Sequence, residues 1–292
     1  MCKTLASLIK EELHVINPVI SSKALWEARG DEQLVVLYTR LADIRSGDLE
    51  SIHQKIILDA QLFDFESVFV DEHATLPHTM CSAAKFQNEA RKLGINSDSN
   101  IVVYDSQGFY SAPRVWWMFK SMGHENIRVL NGGLNAWRDE GFPVSDTPIS
   151  SRPNGDFESA IQDSLFVDAS VILGILHKAP EHLVCDARAA GRFEGSIPEP
   201  RIGIRSGHIP SSINLPFQNL IENGFLKTPD QLSELFSIFA SMKPQHLYFS
   251  CGSGVTACVL AIAAYSLGYE NIHVYDGSWT EWGGSINLPI EQ

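Results

Sequence analysis

Cys251 stands between a buried strand and a helix, at the start of a loop that contains two glycines. The strand covers residues 246–250, the loop reads Cys-Gly-Ser-Gly-Val-Thr over 251–256, and the helix starts at Ala257. Glycine permits the tight turn, so the loop N–H groups can point toward the space above the sulfur, with the positive end of the helix dipole behind them. Such a cradle stabilises an anion, here a thiolate or a sulfur chain attached to it.

Two other interpretations of this cysteine compete with the nucleophile. Free cysteines often pack as small buried hydrophobes, but loops at this edge of an α/β sheet commonly hold the functional site. A cysteine phosphatase needs an arginine at the end of the loop to grip phosphate. That position holds Ala257, and residues 252–256 contain no Arg or Lys, so the loop disfavours phosphate chemistry.

The loop resembles the active-site loop of the tandem rhodanese family, and within that family it is similar to the loops of 3-mercaptopyruvate sulfurtransferases. Thiosulfate sulfurtransferases tend to carry basic residues where this chain has Gly252 and Ser253. The resemblance implies neither a metal nor an organic cofactor. It implies that the loop binds substrate through Gly252, Gly254, Val255 and Thr256.

Two arginines follow the first strand of the second half. Arg192 and Arg201 match the arginines that mercaptopyruvate enzymes use on the carboxylate and keto oxygens of the substrate. The chemistry agrees with this, because a 2-oxo acid is a planar anion and guanidinium forks match it better than an ammonium does. The alternative is that each arginine forms a surface ion pair. We expect Arg188 to pair with a carboxylate such as Asp186 or a neighbour, and His208 to cap or hydrogen-bond a loop.

The resemblance also implies a proton-handling group shared between the two halves. Ser253 would act with His78 and an aspartate from the first half, or His78 is a plain surface residue. The aspartate stays open, because Gln61 replaces one of the two that the family carries there. The candidates are Asp59, Asp64 and Asp71.

The chain contains an internal duplication with an offset of 145 residues. Gly123 recurs as Gly268 and Trp137 as Trp282, and the intervening strands and helices alternate in both copies. This pattern predicts an α/β fold with two rhodanese-like domains, each a mainly parallel sheet flanked by helices. The offset places Ser106 opposite Cys251, so the first copy lacks the nucleophile. We expect it to form a wall of the site; the alternative is that it only adds stability.

Turn-forming residues separate the two copies. Pro148, Pro153 and Gly155 lie in a stretch typical of a linker. We therefore predict a non-catalytic N-terminal domain over 1–147, a linker over 148–163 and a catalytic C-terminal domain over 164–292.

Composition limits the partners. The net charge of −13 disfavours nucleic acid and anionic membranes, so an anionic substrate would need local positive charge. Five cysteines, one of them Cys2, show no metal-binding spacing, and their reduced state would suit the cytoplasm. Charges at residues 10–12 interrupt the apolar run that a signal peptide needs. The sequence contains no run of about 18 apolar residues, so we expect no membrane span.

The resemblance implies a sulfurtransferase that works in two steps. Cys251 would take sulfur from 3-mercaptopyruvate, release pyruvate, hold the sulfur as a persulfide and pass it to a small thiol, cyanide or a thioredoxin-like protein. One alternative is a thiosulfate:cyanide sulfurtransferase, although dianionic thiosulfate would favour basic residues in the loop. A second alternative is a catalytically silent rhodanese-like module that binds a partner.

Overall fold

A computed structural model describes residues 17–41, 55–149 and 152–292 of the chain. Cys2 and the segment on which the signal-peptide prediction rests lie outside the described residues.

The first half contains a five-stranded parallel sheet and a small antiparallel pair, β3 with β7. Its strands are β1 (Val19–Ile20), β2 (Leu34–Tyr38), β3 (Ile56–Ile57), β4 (Gln61–Leu62), β5 (Asn100–Tyr104), β6 (Ile127–Leu130) and β7 (Val144–Ser145). Its helices are α1 (Ser22–Ala28), α2 (Ala83–Lys92), α3 (Ala112–Ser121) and α4 (Gly133–Asp139).

The second half repeats this plan, with β11 and β12 as its antiparallel pair. Its strands are β8 (Phe166–Val167), β9 (His182–Asp186), β10 (Ile213–Asn214), β11 (Ile221–Glu222), β12 (Phe225–Leu226), β13 (His246–Ser250) and β14 (Ile272–Tyr275). Its helices are α5 (Ala169–Ile175), α6 (Ala190–Phe193), α7 (Pro229–Leu235), α8 (Ser237–Met242), α9 (Ala257–Ser266) and α10 (Ser278–Gly284), with a 3₁₀ turn at Phe217–Leu220.

The two large sheets have the same strand order. The first runs β1-β6-β5-β2-β4 and the second runs β8-β14-β13-β9-β10, so β5 and β13 are the central strands. Helices cover both sheets, as parallel sheets require. The predicted fold, two domains with mainly parallel sheets related by duplication, is confirmed.

Local sequence signals set the ends of the helices. The side chains of Ser21, Ser82 and Asp168 accept hydrogen bonds from amides in the first turns of α1, α2 and α5. Gly123 follows the end of α3 with a φ of +81°, in the left-handed region that glycine enters without strain.

The two domains share one core along the helices that follow their central strands. α3 and α9 lie against each other, and both are buried along most of their length. α9 is apolar on nearly every face, as a buried helix usually is, whereas α3 also buries Arg114 and Lys120. The rings of Trp116 and Tyr265 meet edge to face at 5.2 Å. Because each helix begins at the loop after its strand, this packing brings the two loops to one seam.

Part of the predicted linker runs along the N-terminal domain. Phe157 is buried there beside Phe86 and Phe119, and Ala160 N–H donates to the Met122 carbonyl. Where one domain ends and the other begins stays a prediction. No helix in the described part of the chain is long and apolar enough to cross a membrane.

Candidate active site

Cys251 lies at the carboxyl end of β13, where the loop to α9 begins. Cys251 is 2% exposed, and it contacts the hydrophobic core that the two domains share. Of the other described cysteines, burial raises the pKa of Cys81 to about 11 and also raises the pKa values of Cys185 and Cys258. All four described cysteines are buried, but Cys251 is the one that opens the glycine-containing loop, so it is the candidate nucleophile.

Residues at the start of α10 form hydrogen bonds with the backbone of this loop. The Ser278 hydroxyl accepts hydrogen bonds from the N–H groups of Cys251 and Gly254, each at 3.1 Å, and donates to the Tyr275 carbonyl at 2.7 Å. The Thr280 N–H and hydroxyl both donate to the Gly252 carbonyl, at 2.9 and 2.6 Å. Sequence reasoning did not find Ser278 or Thr280, because nothing in their local pattern connects them to the loop.

Gly254 has to be a glycine for two reasons. Its φ is +74°, and a Cβ there would lie 2.6 Å from the Asp276 carbonyl oxygen and 3.0 Å from Arg114 Nη1. The backbone conformation excludes a side chain here, and so does the close approach of Asp276 and Arg114.

The loop after β5 in the first domain corresponds to the Cys251 loop, and its amides surround a carboxylate. The Asp105 carboxylate accepts hydrogen bonds of 2.8–2.9 Å from the N–H groups of Gln107, Tyr110, Ser111 and Ala112. Burial raises the pKa of Asp105, while the four amides lower it. Every hydrogen bond runs toward the carboxyl oxygens, the pattern of an ionised group. The loop is therefore an anion cradle that its own aspartate fills.

The loop of the second domain has the same amides without that carboxylate. Ser250 replaces Asp105 at the 145-residue offset. The corresponding amides have no protein acceptor within the described residues, and they belong to Gly252, Val255, Thr256 and Ala257. These N–H groups can donate to an anion on Cys251.

Two guanidinium groups lie directly over Gly252. A Cβ on this glycine would be 3.3 Å from Arg192 Nη2 and 3.9 Å from Arg201 Nη1. Arg192 is held by Glu199 through bonds of 3.1 and 2.5 Å, and Arg201 reaches Thr280 Oγ1 at 3.4 Å. Both arginines thus lie beside the loop of Cys251 and are not simple surface ion pairs.

The structural roles expected for two neighbouring residues are confirmed. Arg188 forms a buried ion pair with Asp186 at 2.6 Å and a second with Glu199 at 2.8 Å. His208 Nδ1 lies 2.9 Å from the Phe193 carbonyl.

The N-terminal domain contributes an imidazole to the loop. His78 Nδ1 lies 3.0 Å from Ser253 Oγ, and His78 Nε2 lies 3.3 Å from Glu66 Oε1. With the Nε2 proton directed at Glu66, Nδ1 accepts a hydrogen bond from the Ser253 hydroxyl. His78 is 9% exposed and has a φ of +63°, a strained conformation typical of functional positions. The interpretation of His78 as a surface residue is wrong.

The carboxylate beside His78 is Glu66, so the three aspartate candidates are wrong. Asp64 Oδ1 accepts from the N–H groups of Glu66 and Ser67, and Asp71 Oδ1 accepts from His73 N–H, so both form turns. Asp59 is exposed. The longer glutamate reaches the imidazole from a position that the family pattern does not mark, which is why the sequence did not reveal it.

Comparison with known proteins places both halves in one family. A family model described as "Rhodanese-like domain" matches residues 21–140 and 170–285. The 3-mercaptopyruvate sulfurtransferase of Escherichia coli K12 is 34% identical over 264 residues, which are 89% of this chain and 93% of that protein. The thiosulfate sulfurtransferase of Rattus norvegicus is 42% identical over 229 residues, 76% of this chain and 75% of that protein.

A solved structure has the same architecture. The crystal structure of SseA from Escherichia coli superposes with a TM-score of 0.79 at 31% identity, covering 90% of this chain and 99% of that one.

Proposed function

This chain belongs to the rhodanese family of sulfurtransferases, and we propose that it moves sulfur from 3-mercaptopyruvate through a persulfide on Cys251. The observation that carries the donor assignment is the pair of guanidinium groups over Gly252, within reach of a planar 2-oxo acid bound above the loop. The loop has Gly252 and Ser253 where thiosulfate enzymes tend to carry basic residues.

In the first step the Cys251 thiolate attacks the donor sulfur. A sulfur–sulfur bond forms, the carbon–sulfur bond of 3-mercaptopyruvate breaks, and its electrons leave with pyruvate as the enolate. The two guanidinium groups hold the carboxylate and keto oxygens and so align the donor sulfur with Cys251. They also stabilise the negative charge that develops on the enolate oxygen.

The donor thiol proton has to reach the methylene carbon to complete pyruvate. The Ser253 hydroxyl, with His78 and Glu66 behind it, forms a path for that proton. Loss of the thiol proton leaves the outer persulfide sulfur anionic, and the amides of Gly252, Val255, Thr256 and Ala257 donate to it.

In the second step an acceptor nucleophile attacks the outer sulfur and restores the Cys251 thiolate. Cyanide, a small thiol or a thioredoxin-like protein has the chemistry to do so. We assign the enzyme to the cytoplasm, since the described cysteines are free thiols, and we expect neither nucleic acid nor membrane among its partners at a net charge of −13.

Thiosulfate is the second candidate donor. The similarity to thiosulfate sulfurtransferase over three quarters of the chain favours testing it. With thiosulfate the sulfur–sulfur bond of the donor would break and sulfite would leave, so no carbon would need a proton.

The test measures pyruvate release from 3-mercaptopyruvate and sulfite release from thiosulfate under identical conditions. We expect a higher kcat/KM for 3-mercaptopyruvate, no turnover by Cys251→Ser, and normal turnover by the control Cys81→Ser, whose thiol lies outside the loop. Preference for thiosulfate would overturn the donor assignment. Residual turnover by Cys251→Ser would overturn the nucleophile.

A further inference from the structure

The guanidinium groups around the nucleophile are unequally paired with carboxylates. Glu199 is buried, with 4% of its side chain exposed, and both of its oxygens are used. Oε1 accepts from Arg188 Nη1 at 2.8 Å and from Arg192 Nε at 3.1 Å, and Oε2 accepts from Arg192 Nη2 at 2.5 Å. Asp186 holds Arg188 from its other side. Arg192 therefore presents a guanidinium whose charge is already balanced.

Arg201 is different. It forms no ion pair with a carboxylate anywhere in the described ranges, and its hydrogen bond goes to the neutral Thr280 hydroxyl. Burial lowers its pKa; the charge of Cys251 acts against this, the charge of Arg192 acts with it, and the more weakly felt charge of Glu199 acts against it. For Arg192 burial also acts to lower the pKa, but the bonds and charge of Glu199 outweigh it. Of the two guanidinium groups over Gly252, Arg201 is thus the one without a carboxylate partner in the described part of the chain.

These pairings set the charge of the donor site. Three guanidinium groups, from Arg188, Arg192 and Arg201, face two carboxylates, from Asp186 and Glu199, so these ion pairs leave one positive charge, which the Cys251 thiolate offsets. A 2-oxo acid brings a single carboxylate, whereas thiosulfate brings two negative charges. Unit charges a few ångströms apart in a partly buried site interact strongly, so a site balanced in this way disfavours a dianion more than a monoanion.

We propose that Glu199 is a specificity-determining residue, which makes this site select monoanionic over dianionic donors by balancing Arg192. The proposal rests on the proposed function, since it concerns which donor that same site prefers. Glu199 acts through Arg192 and does not touch the donor, so its effect is on discrimination between charges.

A pair of inhibitors of equal shape and different charge tests this directly. Oxamate and oxalate are planar two-carbon anions that differ in an amide against a second carboxylate, so they carry one and two negative charges. In the unaltered protein we expect oxamate to inhibit at lower concentration than oxalate. In Glu199→Gln we expect the ratio of the two inhibition constants to shift about tenfold toward oxalate, and the kcat/KM ratio to shift toward thiosulfate.

Two variants separate charge from structure. Glu199→Asp keeps the negative charge and should keep the preference for oxamate, even where its shorter side chain lowers overall activity. Glu194→Gln removes an equal charge from an exposed position five residues away and should leave both ratios unchanged. Added salt should shrink the shift in Glu199→Gln, because it screens the extra charge.

The outcomes are distinct. If Glu199→Gln lowers activity with both donors by one factor and leaves the inhibitor ratio unchanged, Glu199 is only structural and the proposal is wrong. Should that variant fail to fold by circular dichroism, tighter inhibition of the unaltered protein by oxalate than by oxamate would still overturn it. Failure of the proposed function looks different, because the unaltered protein would then release no pyruvate from 3-mercaptopyruvate.

Discussion

Arg114 of the N-terminal domain and Asp276 of the C-terminal domain form an ion pair of 2.6 Å across the seam. Arg114 is fully buried, and its guanidinium also donates to the carbonyls of His78 at 2.7 Å and Gly254 at 3.1 Å. Asp276 in turn accepts from the Met80 N–H at 2.8 Å. One guanidinium therefore fixes the strained His78 peptide relative to the loop of Cys251, and the first domain takes part in the site instead of only adding stability.

The Arg114–Asp276 pair should be essential to both folding and turnover. Asp276→Asn leaves a buried guanidinium without its counter-charge, and we expect it to lower the free energy of unfolding by about 3–5 kcal/mol. Arg114→Lys keeps the charge but loses the fork that reaches three acceptors, so kcat/KM should fall at least roughly tenfold, with a smaller loss of stability. Denaturant titration and steady-state kinetics measure the two effects. Arg128→Met, on the far side of the first sheet, is the control; equal losses there would contradict the role given to Arg114.

The Glu66–His78–Ser253 path should matter more for one donor than for the other. His78→Ala should lower kcat with 3-mercaptopyruvate about a hundredfold, because general acid–base groups contribute at that scale. The loss with thiosulfate should be smaller, since sulfite leaves without needing a proton on carbon. Glu66→Gln should show the same pattern more weakly, and Asp71→Asn, which alters a turn carboxylate, should resemble the unaltered protein. Equal losses with both donors would show that His78 only supports the loop.

The first domain suggests how to block the second. Ser250→Asp would put a carboxylate where Asp105 sits in the first domain, and we expect it to occupy the amides of Gly252, Val255, Thr256 and Ala257. Intact-mass measurement after donor treatment should then find no added sulfur on Cys251. Ser250→Asn has nearly the same shape without the charge and serves as the control. Sulfur loading of Ser250→Asp equal to that of Ser250→Asn would contradict the anion cradle.

A histidine cluster at the opposite edge of the second sheet should make stability depend on pH. His246 Nδ1 lies 3.1 Å from His273 Nε2, His273 Nδ1 lies 2.6 Å from the Ser164 carbonyl, and the His182 ring stacks on His246 at 4.8 Å. Burial lowers the pKa values of His182 and His273, and His246 lowers them further. Glu181 and Lys178 act on His182 with opposite signs.

The sign of the effect follows from proton binding. The folded chain binds protons on His182 and His273 less readily than the unfolded chain does, so their contribution to stability is complete above pH ~6.5 and is lost as the pH falls below it. Between roughly pH 7.5 and pH 5.5, His273→Gln should lose about 2–4 °C less in melting temperature than the unaltered protein. The exposed His177→Gln is the control. An unchanged pH dependence in His273→Gln would contradict the assignment.

Much of the molecule follows from local pattern. The alternation of strands and helices, the 145-residue offset and the strand-loop-helix around Cys251 are properties of neighbouring residues, because helix ends, turns and burial are decided within a few positions. Arg192 and Arg201 could be identified from the sequence because both lie in one short segment after the first strand of the second half. The 145-residue offset likewise showed that Ser106 stands where the second copy has Cys251.

Tertiary structure decided which side chains complete the site. Ser278 and Thr280 reach the loop once the second sheet forms, and Arg114 reaches it once α3 packs on α9. His78, which Glu66 contacts, meets Ser253 across 175 positions of chain. Asp64 and Asp71, which are close to His78 in sequence, accept hydrogen bonds from turn amides instead. A hydrogen bond depends on distance and direction in space, and sequence spacing carries neither once the two partners belong to different domains. The sequence by itself thus determined the candidate nucleophile and the loop around it, whereas folding determined the contact of His78 with Ser253, the ion pair across the seam and the charge balance around Arg201.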